Sequence, residues 1–264
     1  MNKTIIAILL TGAISSVSAH SNQCDYSVDY NIDINEERLL FDKKNGDKVV
    51  FKGDQLTINN LPVALSSEQM QASRDFQREA RAMVPKIANI AVDGAEIGVK
   101  AATIALTTLF GESEEVHEDL IAPIEAISEK IKTNISETSL NTQELEASFD
   151  EGLDAEIEKL VETAVTKYSG RIVGQVIGSI FSADNEEMED FEFRMENMEH
   201  DIERYVEKQA EDLEARADEL CDDLKTIALL DEKLESISNY PKNGIIQKDA
   251  NHGFKISGLN INRD

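Results

Sequence analysis

The spacing of apolar residues changes from alternating to helical near residue 66. From Tyr26 to Leu65 apolar and polar positions alternate, and turn signals recur at three dipeptides, Asn45-Gly46, Gly53-Asp54 and Asn59-Asn60. A period of two indicates strands, and Asn and Gly favour the tight turns that join them. The segment 20–65 is therefore predicted to form a small N-terminal antiparallel sheet of about four short strands.

A helical domain is predicted over residues 66–240. Ser66 with Gln69 three residues later indicates a capping box at its start. Over about 186–238, apolar or small residues recur with a mean step of about 3.5, the spacing of a coiled-coil seam. The C-terminal part of this predicted seam consists of Leu220, Leu224, Ile227, Leu230, Leu234 and Ile237. A matching apolar face over about 142–182 predicts a long antiparallel helical hairpin. With additional helices at about 68–110 and 114–139, the fold class is α+β, predominantly α.

The two ends are predicted to lie outside this fold. Residues 1–19 combine a charged start at Lys3, an apolar stretch and the small residues Val17-Ser18-Ala19, which is typical of a signal peptide cleaved before His20. The apolar stretch is too short for a stop-transfer helix, so an exported protein is expected. Pro241 ends the helical pattern, and 241–264 is predicted to be a mobile tail or one weak hairpin.

Cysteine usage agrees with export. The chain has two cysteines, Cys24 and Cys221, and they do not form a CxxC motif. In an oxidising compartment an even number of cysteines favours one disulfide over two free buried thiols.

The charge balance is strongly acidic. The 264 residues hold 26 Lys+Arg against 52 Asp+Glu, a net charge of -26. The acid is concentrated on the predicted helices, with 16 acidic against 3 basic residues in 112–163 and 21 against 6 in 184–235. Phosphate backbones and anionic lipid heads would repel such a protein, so nucleic acid is disfavoured as a partner.

The acidic helices allow two interpretations. The first is a solvated helix face that keeps the protein dissolved. The alternative is that they bind a basic partner or, weakly, divalent cations. A dedicated calcium site is not expected, because no Asp-x-Asp-x-Asp-Gly loop is present.

Glycines recur every four residues in two apolar stretches, as Gly94 and Gly98 and as Gly170, Gly174 and Gly178. A glycine inside a helix costs about 1 kcal/mol relative to alanine, so the pattern predicts close contact with a neighbouring helix. The alternative is a glycine zipper that inserts into membranes. The uncharged runs are 11 and 12 residues long, short of the roughly 20 that a span needs. No stable membrane span is therefore expected.

No catalytic constellation is apparent. No serine lies in a nucleophile elbow, and the chain has no Trp to line a sugar cleft beside its many carboxylates. The sequence predicts a protein that is not an enzyme, with no cofactor and no metal ligand set.

The order of these features resembles a known family. A signal peptide, an early Cys24, a strand segment with Asn-Gly and Asn-Asn turns, the run Arg81-Ala-Met-Val-Pro85 followed by Asp93-Gly94, and a late Leu220-Cys221 look like the YggN-like family of enterobacterial and related proteins. The resemblance implies a periplasmic protein of Gram-negative bacteria with two matching cysteines and no established activity. It transfers no catalytic residue.

The predicted function is a periplasmic, non-enzymatic binding or scaffold protein that engages an unknown envelope protein through its helical region. The alternatives are a membrane-active helical protein that uses the glycine-rich helices and a periplasmic hydrolase. Liposome leakage would favour the first alternative, and turnover in a broad substrate panel would favour the second.

Overall fold

The computed structural model describes residues 24–44, 46–148, 154–168, 170, 186–248 and 255–256. It is predominantly helical with a small antiparallel sheet near the N-terminus, as predicted. The described residues fall into two compact units. Those within 22–96, 126–158 and 213–264 form the sheet unit, and those within 97–125 and 159–212 form the helical unit.

The main sheet of the sheet unit is antiparallel, with the strand order β6-β5-β4-β3-β2-β7. After β1, Tyr26–Val28, its strands are β2 Asn31–Ile34, β3 Leu39–Asp42, β4 Lys48–Lys52, β5 Gln55–Ile58, β6 Leu61–Val63 and β7 Leu140–Asn141. Six strands thus lie within the segment for which the alternating pattern predicts about four. The difference arises because strands of three to five residues are too short to show a full alternation.

Two of the predicted turns are confirmed by the pairing register. Ile58 pairs with Leu61 across Asn59 and Asn60, whose φ angles of 51° and 65° are tolerated by asparagine. Lys52 pairs with Gln55 across Gly53, which has φ +56°. The tight turns keep the register that places alternate residues on one buried face.

The described residues form helices of the α and π types. They are α1 Ser67–Phe110, α2 Glu114–Val116, π1 His117–Ile121, α3 Ala122–Asn134, α4 Thr142–Ser148, α5 Asp154–Thr163, π2 Ala164–Tyr168 and α6 Glu186–Leu234, where π1 and π2 are π-helical. The capping box at the start of α1 is confirmed. The Ser66 amide donates to Gln69 Oε1 at 3.0 Å, and the Gln69 amide donates to Ser66 Oγ at 3.2 Å.

The core of the sheet unit lies between the buried sheet face and the two long helices. Phe76 of α1 packs against Phe41 and Phe51, with ring centroids 5.9 Å and 5.1 Å away. Leu224 and Ile227 of α6 are buried in the same cluster. Apolar burial of this size is the main source of stability in a domain, so this cluster holds α1 and α6 on the sheet.

The described residues include only part of the predicted helical hairpin. Its second stretch is the 49-residue helix α6. The first stretch, 142–182, contains α4, α5 and π2, while 149–153, 169 and 171–182 lie outside the described residues. The antiparallel pairing of the two stretches and the coiled coil remain predictions.

The prediction of a mobile tail or single hairpin for 241–264 is wrong for its described residues. The short strands β8, Gln247–Lys248, and β9, Lys255–Ile256, lie on either side of β1. β8 pairs with β1 antiparallel and β9 pairs with it parallel. The tail therefore completes a second sheet with a strand more than two hundred residues earlier, which a local pattern does not reveal.

Candidate functional site

The predicted disulfide is present in the sheet unit. Cys24 and Cys221 are bonded, with their Cα atoms 5.7 Å apart. The bond connects Cys24, two residues before β1, to Cys221 in the C-terminal third of α6. It closes a span of 197 residues, so it ties the start of the sheet unit to its last helix.

The predicted close contact of the helix glycines is not found in the described part of the chain. Gly94, Gly98 and Gly170 are exposed, and a Cβ atom added at each would meet no described atom within 4 Å. The packing role predicted for these three glycines therefore stays a prediction. Gly174 and Gly178 lie outside the described residues.

Replacing Gly94 and Gly98 by alanine should stabilise the protein. Each change should add about 1 kcal/mol to the free energy of unfolding, because alanine restricts the unfolded chain and the added methyl has open space. Urea unfolding of the single and double variants would measure the gain. A loss of stability in either single variant would contradict this prediction and would indicate a close packing contact at that glycine.

A polar cluster in the sheet unit surrounds Asp231 of α6. Its side chain is buried, with 1% of its surface exposed. The Tyr240 hydroxyl donates to Oδ1 at 2.5 Å, and the amides of Ile245 and Ile246 donate to Oδ2 at 2.6 Å and 2.9 Å. One buried carboxyl thus binds three donors from the segment that follows α6.

Burial controls the charge state of Asp231. Desolvation raises the pKa of this carboxyl to about 6, although its three hydrogen bonds oppose that rise. A buried charge is costly, while hydrogen bonds to the charged form offset only part of the cost. Asp231 therefore changes its protonation near pH 6, close to neutrality.

The segment after α6 approaches Asp231 closely because of Gly244. A Cβ atom at this position would overlap the Oδ2 atom, and Gly244 has φ +70°. Glycine is the residue that adopts this backbone conformation without a steric penalty. It is preceded by tight turns, including Gly244 N–H to the Pro241 carbonyl at 3.0 Å. Together these features direct the amides of Ile245 and Ile246 towards the carboxyl.

An apolar cavity of about 50 Å³ lies in the core of the sheet unit. The side chains that line it include Val28, Ile32, Phe41, Met83, Ile227 and Ile246. Ligand pockets for small molecules usually measure roughly 300 Å³ or more, so the cavity as it stands is a packing void. Ile246, whose amide donates to Asp231, forms part of its wall.

A second polar cluster lies in the helical unit, where π1 and π2 each contribute residues. The Tyr168 hydroxyl donates to Asp119 Oδ2 at 2.6 Å and to the Glu115 carbonyl at 3.1 Å, and Lys167 pairs with Asp119. Burial raises the pKa of Tyr168 to about 12, so it remains a neutral phenol. Its ring packs on Phe110 at 5.1 Å. The cluster joins the two π-helical turns.

The surface of α6 within the helical unit is acidic. Glu196, Glu203, Glu207 and Glu211 are exposed, and their spacing of seven, four and four residues places them on one helical face. Like charges four residues apart destabilise a helix by about 0.2–0.5 kcal/mol per pair. This acidic face, defined by these four residues, thus costs the isolated helix stability.

The described residues contain no group of three or more His, Cys, Asp or Glu that could hold a metal ion. No helix in this part of the chain is long and apolar enough to cross a membrane. Weak cation binding by the acidic helices remains an untested prediction.

Sequence reasoning missed Asp231, although a signal was available. Buried positions of α6 recur at Leu220, Leu224, Ile227, Asp231 and Leu234, with steps of three and four residues. The predicted seam passed through Leu230 instead, because that residue is apolar. A carboxyl at a seam position marks a buried polar group that needs partners.

The chain was compared with protein families, curated proteins and solved structures. A family model described as "Protein of unknown function (DUF2884)" matches residues 24–241. The chain therefore belongs to this family. The comparisons with curated proteins and with solved structures give no match.

Proposed function

We propose that this member of the DUF2884 family is a periplasmic binding or scaffold protein, without enzymatic activity, whose acidic face binds a basic segment of another envelope protein. The family carries no assigned activity, so the proposal is supported by the molecule itself. The Cys24–Cys221 disulfide is typical of an oxidising compartment, and the signal peptide pattern of 1–19 supports export. The resemblance to YggN-like proteins agrees with the periplasm.

The observation that carries the proposal is the exposure of the acidic face. Among described residues 196–212 of α6 none is buried, although apolar Ile202, Tyr205 and Val206 occur there at intermediate exposure. The ion pair described for this stretch joins Arg204, three residues before Glu207, to Asp201 and not to a glutamate of the acidic face. A basic partner would relieve the repulsion between the four glutamates and cover the neighbouring apolar side chains.

A matched pair of charge variants tests the proposal. One variant changes Glu203, Glu207 and Glu211 to glutamine on the acidic face. The control changes three exposed glutamates of the sheet unit, Glu36, Glu37 and Glu68, to glutamine and alters the net charge equally.

Binding of a lysine-rich helical peptide to both variants would be measured by calorimetry over a salt series. The acidic-face variant should bind about 10- to 100-fold more weakly, because each lost exposed pair is worth roughly 0.5–1 kcal/mol. The control should bind as the wild type does. Equal weakening in both variants would mean that net charge alone attracts the peptide, and no weakening would contradict the proposal.

The natural partner has to be identified by an experiment in the cell. Proximity labelling in the periplasm with wild type and both variants should label a protein with a basic segment, and that label should disappear only in the acidic-face variant. A label that persists in that variant would place the interface elsewhere on the chain.

A further inference from the structure

The segment 241–248 combines three features that are independent of the acidic face. It is held on α6 through Asp231, it pairs with β1 through β8, and it contributes Ile246 to the wall of the apolar cavity. Ile245 is fully buried in the main core. We name residues 241–248 the strap.

We propose that the strap is a pH-sensitive closure of the apolar core, which stays shut while the Asp231 carboxyl is protonated and loosens when that carboxyl is ionised. The structure supplies the elements of such a device: a buried acid, two donors in the strap with a third from Tyr240 just before it, and an apolar cavity to whose wall the strap contributes Ile246.

The neutral acid satisfies all of its hydrogen-bonding groups in this site. Oδ2 accepts the amides of Ile245 and Ile246, and a proton on Oδ1 can be donated to the Tyr240 oxygen when the hydroxyl rotates. The ionised acid keeps three donors but carries a full charge in the core. The free-energy cost of desolvating that charge exceeds the stabilisation from its hydrogen bonds to three neutral donors.

The groups that face Asp231 do not neutralise its charge. Glu235, the residue that follows the end of α6, adds negative charge and raises the pKa of Asp231. The Tyr240 phenol of the following segment is buried, which raises its pKa well above the ordinary value. Tyr30, between β1 and β2, interacts electrostatically with both, and burial raises its pKa to about 12.

The charged groups around Tyr30 are also mainly acidic. Asp29 and Asp47 both raise its pKa. The Lys43 ammonium lies 5.6 Å from the centroid of the Tyr30 ring and pairs with Asp29 at 2.8 Å. The acidic groups near Tyr30 thus outnumber the lysine, and the lysine has an acidic partner of its own.

The dependence on pH follows from linkage. In the open strap the carboxyl meets water and has the reference pKa of about 3.9. Because its pKa is higher in the closed state, protons favour closure. Opening should increase about tenfold per pH unit between about pH 4 and pH 6 and level off above that range.

Hydrogen exchange of the strap amides tests the proposal. Protection of Ile245 and Ile246, corrected for the intrinsic effect of pH on exchange, should fall about a hundredfold between about pH 4 and pH 7. Amides of β3 and β4 serve as internal controls, because general charge repulsion acts on the whole sheet unit. A strap that loses no more protection than these strands would overturn the proposal.

Two variants separate Asp231 from other acids. D231N is the isostere of the neutral acid: its amide oxygen can accept both backbone amides and its Nδ2 can donate to Tyr240. It should keep the strap protected at every pH. D222N, an exposed change on the same helix, should retain the wild-type pH profile. A wild-type profile in D231N would overturn the proposal.

A direct titration keeps the test independent of variant folding. The carboxyl carbon of Asp231, followed by NMR in the wild-type chain, should titrate at the pH at which the loss of strap protection levels off. A titration midpoint away from that pH would overturn the role of Asp231, whatever the behaviour of D231N.

Discussion

Changing Cys24 and Cys221 together to serine is expected to lower the free energy of unfolding by about 4 kcal/mol. The bond closes 197 residues, for which chain entropy predicts about 5 kcal/mol, while native bonds usually contribute about 2–4 kcal/mol. The effect is large because the two bonded cysteines are far apart in sequence, so the bond closes a long loop. Urea unfolding of the double variant beside the wild type would measure it.

Reduced and alkylated wild type provides the control for the serine changes. Both samples lack the cross-link, so both should lose a similar amount of stability. A double variant as stable as the oxidised wild type would show that the bond adds nothing to the folded state. Intact-mass analysis before and after reduction verifies that the purified wild type carries the bond.

Replacing Gly244 by alanine is expected to cost about 3 kcal/mol. The left-handed backbone conformation accounts for about 1–2 kcal/mol, and overlap of the new methyl with the Asp231 carboxyl adds roughly 1–3 kcal/mol. Gly53→Ala is the matched control, because Gly53 has φ +56° and an added Cβ would meet no described atom within 4 Å. The Gly53→Ala variant should lose only the about 1–2 kcal/mol that the left-handed backbone conformation costs.

Denaturant unfolding of the two alanine variants isolates the contact with Asp231. The difference between their losses measures the overlap, since both share the strained backbone conformation. Equal losses would mean that the segment moves away from Asp231 at little cost, which would contradict a tightly seated strap.

The interior of the sheet unit was only partly predictable. The helical period of α6 identified Leu220, Leu224 and Ile227 as core positions, and all three are buried. The same periodicity favoured Leu230 over Asp231, because hydrophobicity alone ranks a leucine above an aspartate. The buried carboxyl is explained by donors that come from Tyr240, Ile245 and Ile246, and only the folded chain brings these donors to it.

The helix glycines illustrate a different limit of a local pattern. Their spacing of four residues is the pattern that close helix pairs use, yet Gly94 and Gly98 are exposed. A repeat along one helix specifies a face and not what lies opposite that face. The acidic face of α6 has the same limitation, which is why charge variants are needed to find its partner.

The amino-acid sequence by itself determined the features whose causes lie within a few residues. These are the Ser66–Gln69 capping box, the turns at Gly53-Asp54 and Asn59-Asn60, the long helices and the pair of cysteines. Tertiary structure decided the pairing of β8 and β9 with β1, the open space beside the glycines and the burial of Asp231. The physical reason is range: caps and turns depend on adjacent backbone groups, whereas burial and desolvation depend on segments that meet only after the chain has folded.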